Sequence, residues 1–259
     1  WQKPLCQKPM IKCSQCQVRQ LMPLTDEVIY RHLAGEVTIG LYPLLKDETC
    51  WFLAVDFDKR DWQKDIQAFV ETCQRMNIPV SIERSRSGNG GHVWIFFSEP
   101  VSAKVARQLG NFLLSETLSN RYELGMDSYD RLFPNQDTLP RGGFGNLIAL
   151  PLQRGPRMQG NSVFIDENFN PYEDQWGYLQ EVRKLDLSSV KKIVSVPSQQ
   201  KQIIQLENTE NNPVEKLPSA LKIIEKNGLH LNKHEIPSHL MHELLKLSSL
   251  KNPEFLCSS

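Results

Sequence analysis

The stretch CWFLAVDFD, from Cys50 to Asp58, constrains the fold of this chain more than any other. It is an apolar run too short for a buried helix, and it reads as a buried strand that ends in two carboxylates. Side chains alternate along a strand, so Asp56 and Asp58 share one face while Phe57 points the other way into packing. Two carboxylates held side by side repel each other unless a cation neutralises them. Hard oxygen donors of this kind suit Mg2+ or Mn2+, ions that also take phosphate oxygens and water. The plainer alternative is a solvated strand end followed by a turn, and the burial expected of Phe57 argues against it.

The sequence on either side supplies the partners of this strand. LTDEVIYRHLAG reads as a short helix: Thr25 is its N-cap, Asp26 and Glu27 lie in the first turn and Gly35 ends it. TIGLYPLL and CWFLAVDFD, separated by KDET, have the pattern of a hairpin. DWQKDIQAFVETCQRMNIP is an amphipathic helix, with Trp62, Ile66, Phe69, Val70, Cys73 and Met76 on one stripe. VSIERS and HVWIFF form the next strand pair. A helix from Ser102 to Leu118 follows, presenting Val105, Leu109, Phe112 and Leu113, and LIALPLQ is a later strand. The order β-β-α-β-β-α and then more strand predicts an α+β or α/β fold with a mixed or antiparallel sheet. The expected organisation is 1–35 as a cysteine-rich segment and helix, 36–182 as the main domain, 183–217 as a polar linker and 218–259 as a helical C-terminal segment.

The second strand pair is joined by SRSGNGG, and His92 stands where the loop meets the strand. Glycines let backbone N–H groups approach an anion. Ser87, Gly88, Asn89, Gly90 and Gly91 can therefore line triphosphate oxygens, Arg84 and Arg86 can neutralise their charge, and His92 can donate to a phosphate. Taken alone the loop is an ordinary hairpin connection; the acidic pair one helix upstream is what favours the phosphate reading. A two-metal site calls for a third carboxylate. Asp127, Asp130 and Asp137 all lie in GMDSYDRLFPNQD. Asp127, directly after Met126 at what reads as the end of a short strand, is the first choice, and Asp130 the second.

Charge narrows the function further. Thirty basic side chains balance thirty acidic ones, which excludes simple electrostatic nucleic-acid glue but leaves room for a local basic cleft. No apolar run approaches a membrane span and the first residues lack signal-peptide order, so cytoplasmic residence with no membrane partner is the expectation. Of six cysteines, Cys6, Cys13 and Cys16 cluster at the start. The close C-x2-C pair with a third thiolate reads as a structural Zn2+ knuckle. His32 is the first choice for the fourth ligand, with Cys50 or a residue upstream of Trp1 as alternatives.

An acidic pair on a strand (DFD), then SGNGGH, then a hydrophobic residue and Asp (MD) resembles the three motifs of the archaeo-eukaryotic primase superfamily. The likeness is greatest to the primase-polymerase branch found with CRISPR loci and in TOTE conflict systems. DETCWFLAVDFD, RSRSGNGGHVWIFF and SYDRLFPNQDTLPRGGFGNLIALPLQ carry it, and it covers most of residues 1–180. IPSHLMHELLKLSSLKNPEF is similar to the segment that joins primase to helicase in TOTE proteins.

The resemblance implies an RRM-like catalytic core that transfers nucleotidyl groups from NTPs or dNTPs to a 3′-OH on a DNA template, with de novo primer synthesis in many members. It implies divalent metals at Asp56, Asp58 and Asp127. It implies nucleotide contacts from Ser87 and His92 with the glycines between them, Gly88 and Gly91 included, to which the loop itself adds Arg86 and Asn89, and a weaker one from Arg154 in a region that borders nucleotide and template. A helicase, reverse transcriptase or Cas protein would be fused or associated. Two other readings compete: a zinc-knuckle module that binds single-stranded nucleic acid without catalysis, and a metal-dependent nuclease. A relaxase-like nickase would want paired histidines, and GHVW has one.

Overall fold

The computed structural model describes residues 21–121, 125–140 and 145–195, together with the backbone of 256–258. Cys6, Cys13, Cys16 and Arg141 fall outside these residues, as do most of the linker and of the C-terminal segment expected to be helical. The elements in chain order are β1 (Leu21–Met22), α1 (Asp26–Ala34), β2 (Ile39–Leu41), β3 (Thr49–Asp58), α2 (Trp62–Arg75), β4 (Ser81–Arg84) and β5 (Gly90–Ser102). They continue with α3 (Ala103–Asn120), β6 (Tyr129–Phe133), β7 (Ile148–Ala149), α4 (Arg154–Met158), β8 (Val163–Ile165), α5 (Gln175–Gln180) and β9 (Leu256–Ser258).

Helix α1 begins and ends where its caps dictate. Thr25 accepts a hydrogen bond from the Val28 amide, and Gly35 closes the helix in the left-handed region at φ 85°. Ile29 from α1 packs with Leu24, Ile39 and Leu150 in a small cluster of its own. That cluster claims the apolar side of β2, so β2 does not form the expected hairpin with β3. Instead β2 pairs antiparallel with β7 and β9 in a sheet of order β1-β9-β2-β7.

Strand β3 lies inside a five-stranded antiparallel sheet of order β6-β3-β5-β4-β8. One face carries Leu53, Val55 and Phe57 of β3 with Val93, Ile95 and Phe97 of β5, all fully buried. Helices α2 and α3 cover it with Ile66, Phe69, Leu109 and Leu113, and the Phe57 and Phe69 rings meet at 5.8 Å. These helix residues recur at i, i+3 and i+4, which is why the amphipathic stripe was legible in the sequence. Burying each such side chain contributes about 1.5–3 kcal/mol. The opposite face is aromatic: Trp94 stacks on Phe96 at 5.8 Å, Phe52 sits 5.1 Å from Trp94, and Phe164 meets Tyr178 at 5.6 Å.

The folded unit runs past residue 182, where the linker was expected to begin. The Leu185 amide donates to the Phe96 carbonyl at 2.8 Å and its carbonyl accepts from Ser98 at 3.0 Å. Residues 187–195 are helical, Asp186 accepts from the Ser189 amide, and Val190 is fully buried. Of this extension only Leu185 and Val190 are buried, while Leu187, Ile193 and Val194 pack against the core half-buried and the polar residues between them face solvent. At the far end of the chain, Leu256–Ser258 form a strand between β1 and β2.

Candidate active site

Near the polar end of the aromatic face, four side chains lie in one row across four strands. The register pairs Glu83 of β4 with His92 of β5, His92 with Asp56 of β3, and Asp56 with Arg131 of β6. Paired residues share a face, so the ladder alone brings them together. His92 Nδ1 lies 2.9 Å from Glu83 Oε2, and Nε2 lies 3.4 Å from Asp56 Oδ1. Both are partly sheltered, with side-chain exposures of 14% for His92 and 19% for Asp56. Burial works against charge on the imidazole, but the Glu83 carboxylate, and then Asp56, outweigh it and push the His92 pKa up to about 9. Asp56 is shifted upward, first by burial, with Asp130 and Asp58 adding to the shift and His92 and Arg131 opposing it.

The third carboxylate is where structure and sequence reading part. Met126 and Asp127 do not end a strand: Met126 takes a left-handed φ of 47°, and Asp127 is exposed in the turn that follows. Strand β6 starts at Tyr129, and its register against β3 shifts between Asp56 and Phe57, leaving Asp130 as the extra residue of a bulge. Bulges re-aim side chains, and here the Asp130 charge acts on Asp56. Arg131 Nε donates to Asp130 Oδ2 at 2.6 Å. The acid that β6 brings toward the pair is therefore Asp130. Asp137 is taken up elsewhere, by Arg107 of α3 at 2.5 Å.

Asp58, at the strand end, is exposed and accepts from the Lys59 amide at 2.9 Å. Its own amide donates to the Ser128 carbonyl at 2.7 Å. Ser128 is in turn held by the buried Asp65 of α2, which accepts from its amide at 3.2 Å and its hydroxyl at 2.5 Å. This chain of bonds fixes the turn before β6 against the end of β3. The carboxylate oxygens of Asp56, Asp58 and Asp130 are of the hard type that Mg2+ or Mn2+ prefers, and crowded like charges are what such an ion would neutralise. Among the described residues no group of three or more His, Cys, Asp or Glu side chains converges as a ready-made metal site.

The loop 85–89 closes a tight hairpin. The Ser85 amide donates to the Gly90 carbonyl at 2.9 Å and the Gly88 amide to the Ser85 carbonyl at 3.0 Å. Ser87 Oγ accepts from the Asn89 amide and lies 3.2 Å from Ser85 Oγ. Ser87, Asn89 and Arg86 are exposed, while Gly88 needs its φ of 78° and packs against Asn161. Gly91 has a different reason to be glycine. A Cβ there would meet Ile66 at 2.8 Å and Trp62 at 2.9 Å, on the helix side, away from His92. Arg84 is occupied as a clamp, donating to the carbonyls of Gly160 at 2.9 Å and Phe169 at 2.5 Å. Arg154 is exposed at the start of α4; the contacts from that region to the loop are made by Asn161 and Ser162.

Of the expected zinc knuckle, only the fourth-ligand candidates His32 and Cys50 lie among the described residues. His32 is fully buried, and its Nδ1 accepts the Ile39 amide at 3.1 Å. The ring proton therefore sits on Nε2, which has no hydrogen-bond partner among the described residues, and burial holds the pKa well below the usual range. A ring held this way has no lone pair free for a cation. Cys50 is a core thiol opposite Val101, its pKa pushed far up by burial. Two residues of the site escaped the sequence reading. Glu83 was countable, since a hairpin closed at Ser85 and Gly90 puts it opposite His92, but Arg131 depended on the bulge.

The mixed α/β arrangement, with antiparallel sheets and two helices on one face of the larger one, fits an archaeo-eukaryotic primase domain. The chain belongs to the archaeo-eukaryotic primase domain family of TOTE conflict systems, whose family model matches residues 1–193. No curated protein matches it significantly. Membership makes it a primase-polymerase-like nucleotidyltransferase domain, of a family that is generally divalent-metal dependent and acts on nucleic acid and nucleotides. No helix among the described residues is long and apolar enough to cross a membrane.

Proposed function

We propose that this chain is a DNA-templated primase-polymerase that joins (d)NTPs to a 3′-OH with two divalent metals, Mg2+ or Mn2+, and can also start strands de novo. The observation that carries the reading is the approach of His92 to Asp56, which sets a phosphate-type donor beside a carboxylate cluster on one rigid ladder. Asp56, Asp58 and Asp130 would hold the ions, with Asp127 at the rim of the same turn. Bound there, the ions would lower the pKa of the attacking hydroxyl and stabilise the pyrophosphate leaving group.

The chain's own groups supply the positioning. His92 offers a charged N–H to phosphate oxygens, and Ser87 with the amides around Gly88 and Asn89 offers neutral donors. Arg86 and Arg154 add positive charge at the edge. Holding the phosphates in line is itself worth several kcal/mol, because it removes the search for a reactive geometry. A fused or associated helicase, reverse transcriptase or Cas protein would supply template access.

A labelled primer-template incubated with all nucleotides and Mn2+ tests the reading. Extension is expected from the parent protein, with loss of incorporation in Asp56→Ala while its circular dichroism and thermal melt are retained. Normal incorporation by that variant would sink the proposal. Strand binding without synthesis would make the chain a binding module, and strand cleavage would make it a nuclease.

A further inference from the structure

We propose that Glu83 is the positioning residue for His92, and that Trp94 anchors Glu83 in that role. The inference rests on the nucleotide-binding reading of His92 and extends it to side chains behind the site. Glu83 is 3% exposed on the central strands of the sheet, where an unpartnered carboxylate would be costly. Its Oε2 is 2.9 Å from Trp94 Nε1 and 2.9 Å from His92 Nδ1. An indole N–H can only donate, so Oε2 is an acceptor, and the ring nitrogen facing the same oxygen carries a proton. That fixes both the ring orientation and the edge presented on the far side: Nε2 is turned toward Asp56, 3.4 Å away.

The alternation of β5 makes this possible. His92 and Trp94 are two residues apart, so both point to the face that carries Glu83, and their rings meet edge to face at 6.1 Å. Phe133 closes the other flank at 6.4 Å, also edge to face. An imidazole packed between two aromatic rings and tied at Nδ1 loses little conformational entropy when Nε2 engages an anion. Without Glu83 the ring could rotate about χ2 and present the wrong nitrogen.

The test pairs Glu83→Gln, which keeps size and an oxygen acceptor but removes the charge that strengthens the bond to the His92 Nδ1 proton, with His92→Ala and the double variant. Equilibrium binding and KM for a dNTP are measured with Mn2+, alongside thermal melts. Glu83→Gln is expected to weaken nucleotide binding about tenfold, more in KM than in kcat. In the His92→Ala background it should add nothing, because the residue it positions is gone. Full loss by His92→Ala with none by Glu83→Gln, or an equal extra loss in both backgrounds, overturns the proposal. If His92→Ala itself binds nucleotide normally, the nucleotide reading fails instead.

A measurement on the parent protein covers the case in which Glu83→Gln does not fold. Nitrogen-15 spectra of the His92 ring should show a protonated, hydrogen-bonded Nδ1. A bare Nδ1 overturns the assignment.

Discussion

Removing the Asp65 carboxylate should loosen the candidate site from beneath. Asp65 is 4% exposed on α2 and accepts two bonds from the fully buried Ser128, at 3.2 Å from its amide and 2.5 Å from its hydroxyl. Hydrogen bonds to a charged acceptor are worth about 1.5–3 kcal/mol each, and a buried donor left unpaired forfeits its solvation. The Ser128 hydroxyl can rotate to another acceptor but its amide cannot, so Asp65→Ala is expected to cost about 3 kcal/mol, nearer one full bond than two. For a unit of this size that is a fall of roughly 6–12 °C in Tm.

Urea denaturation with a free m-value measures the loss, and Ser128→Ala completes a double-mutant cycle. Ser128→Ala alone should cost about 1 kcal/mol, and close to nothing once Asp65 is absent. Because the Ser128 carbonyl also accepts the Asp58 amide at 2.7 Å, Asp65→Ala should impair incorporation at temperatures where the protein is still folded. A loss below about 1 kcal/mol, or an unchanged cost of Ser128→Ala in both backgrounds, would refute the reasoning.

Two further outcomes are expected. Asp130→Ala should lower primer extension by at least about a hundredfold, while Asp127→Ala stays within about fivefold, measured with the same primer-template and Mn2+; the reverse order would restore Asp127 as the third acid. Gly91→Ala forces a Cβ to 2.8 Å from Ile66 and 2.9 Å from Trp62, and overpacking of this kind costs about 1–3 kcal/mol in a thermal melt.

Local pattern alone determined much of this protein. The Thr25 and Gly35 caps, the stripe from Trp62 to Cys73, and the alternation that sets Asp56 against Phe57 are properties of neighbouring residues. Each survived folding because no distant contact opposed it. The motif resemblance reached the family from the same short stretches, and the hairpin at Ser85–Gly90 made the pairing of Glu83 with His92 countable.

Tertiary structure decided what depends on residues far apart in the chain. The side of β2 went to α1 and Leu150 rather than to β3, because the apolar partners of Ile39 are nonlocal. Gly91 answers to Ile66 and Trp62 on a helix, and Arg84 answers to carbonyls at Gly160 and Phe169. Asp130, rather than Asp127, lies on β6 beside Asp56 because one bulged residue changes which side chain a strand presents. Alternation along CWFLAVDFD thus placed two acids in advance, while the position of Asp130 beside them awaited a register that only the assembled sheet could set.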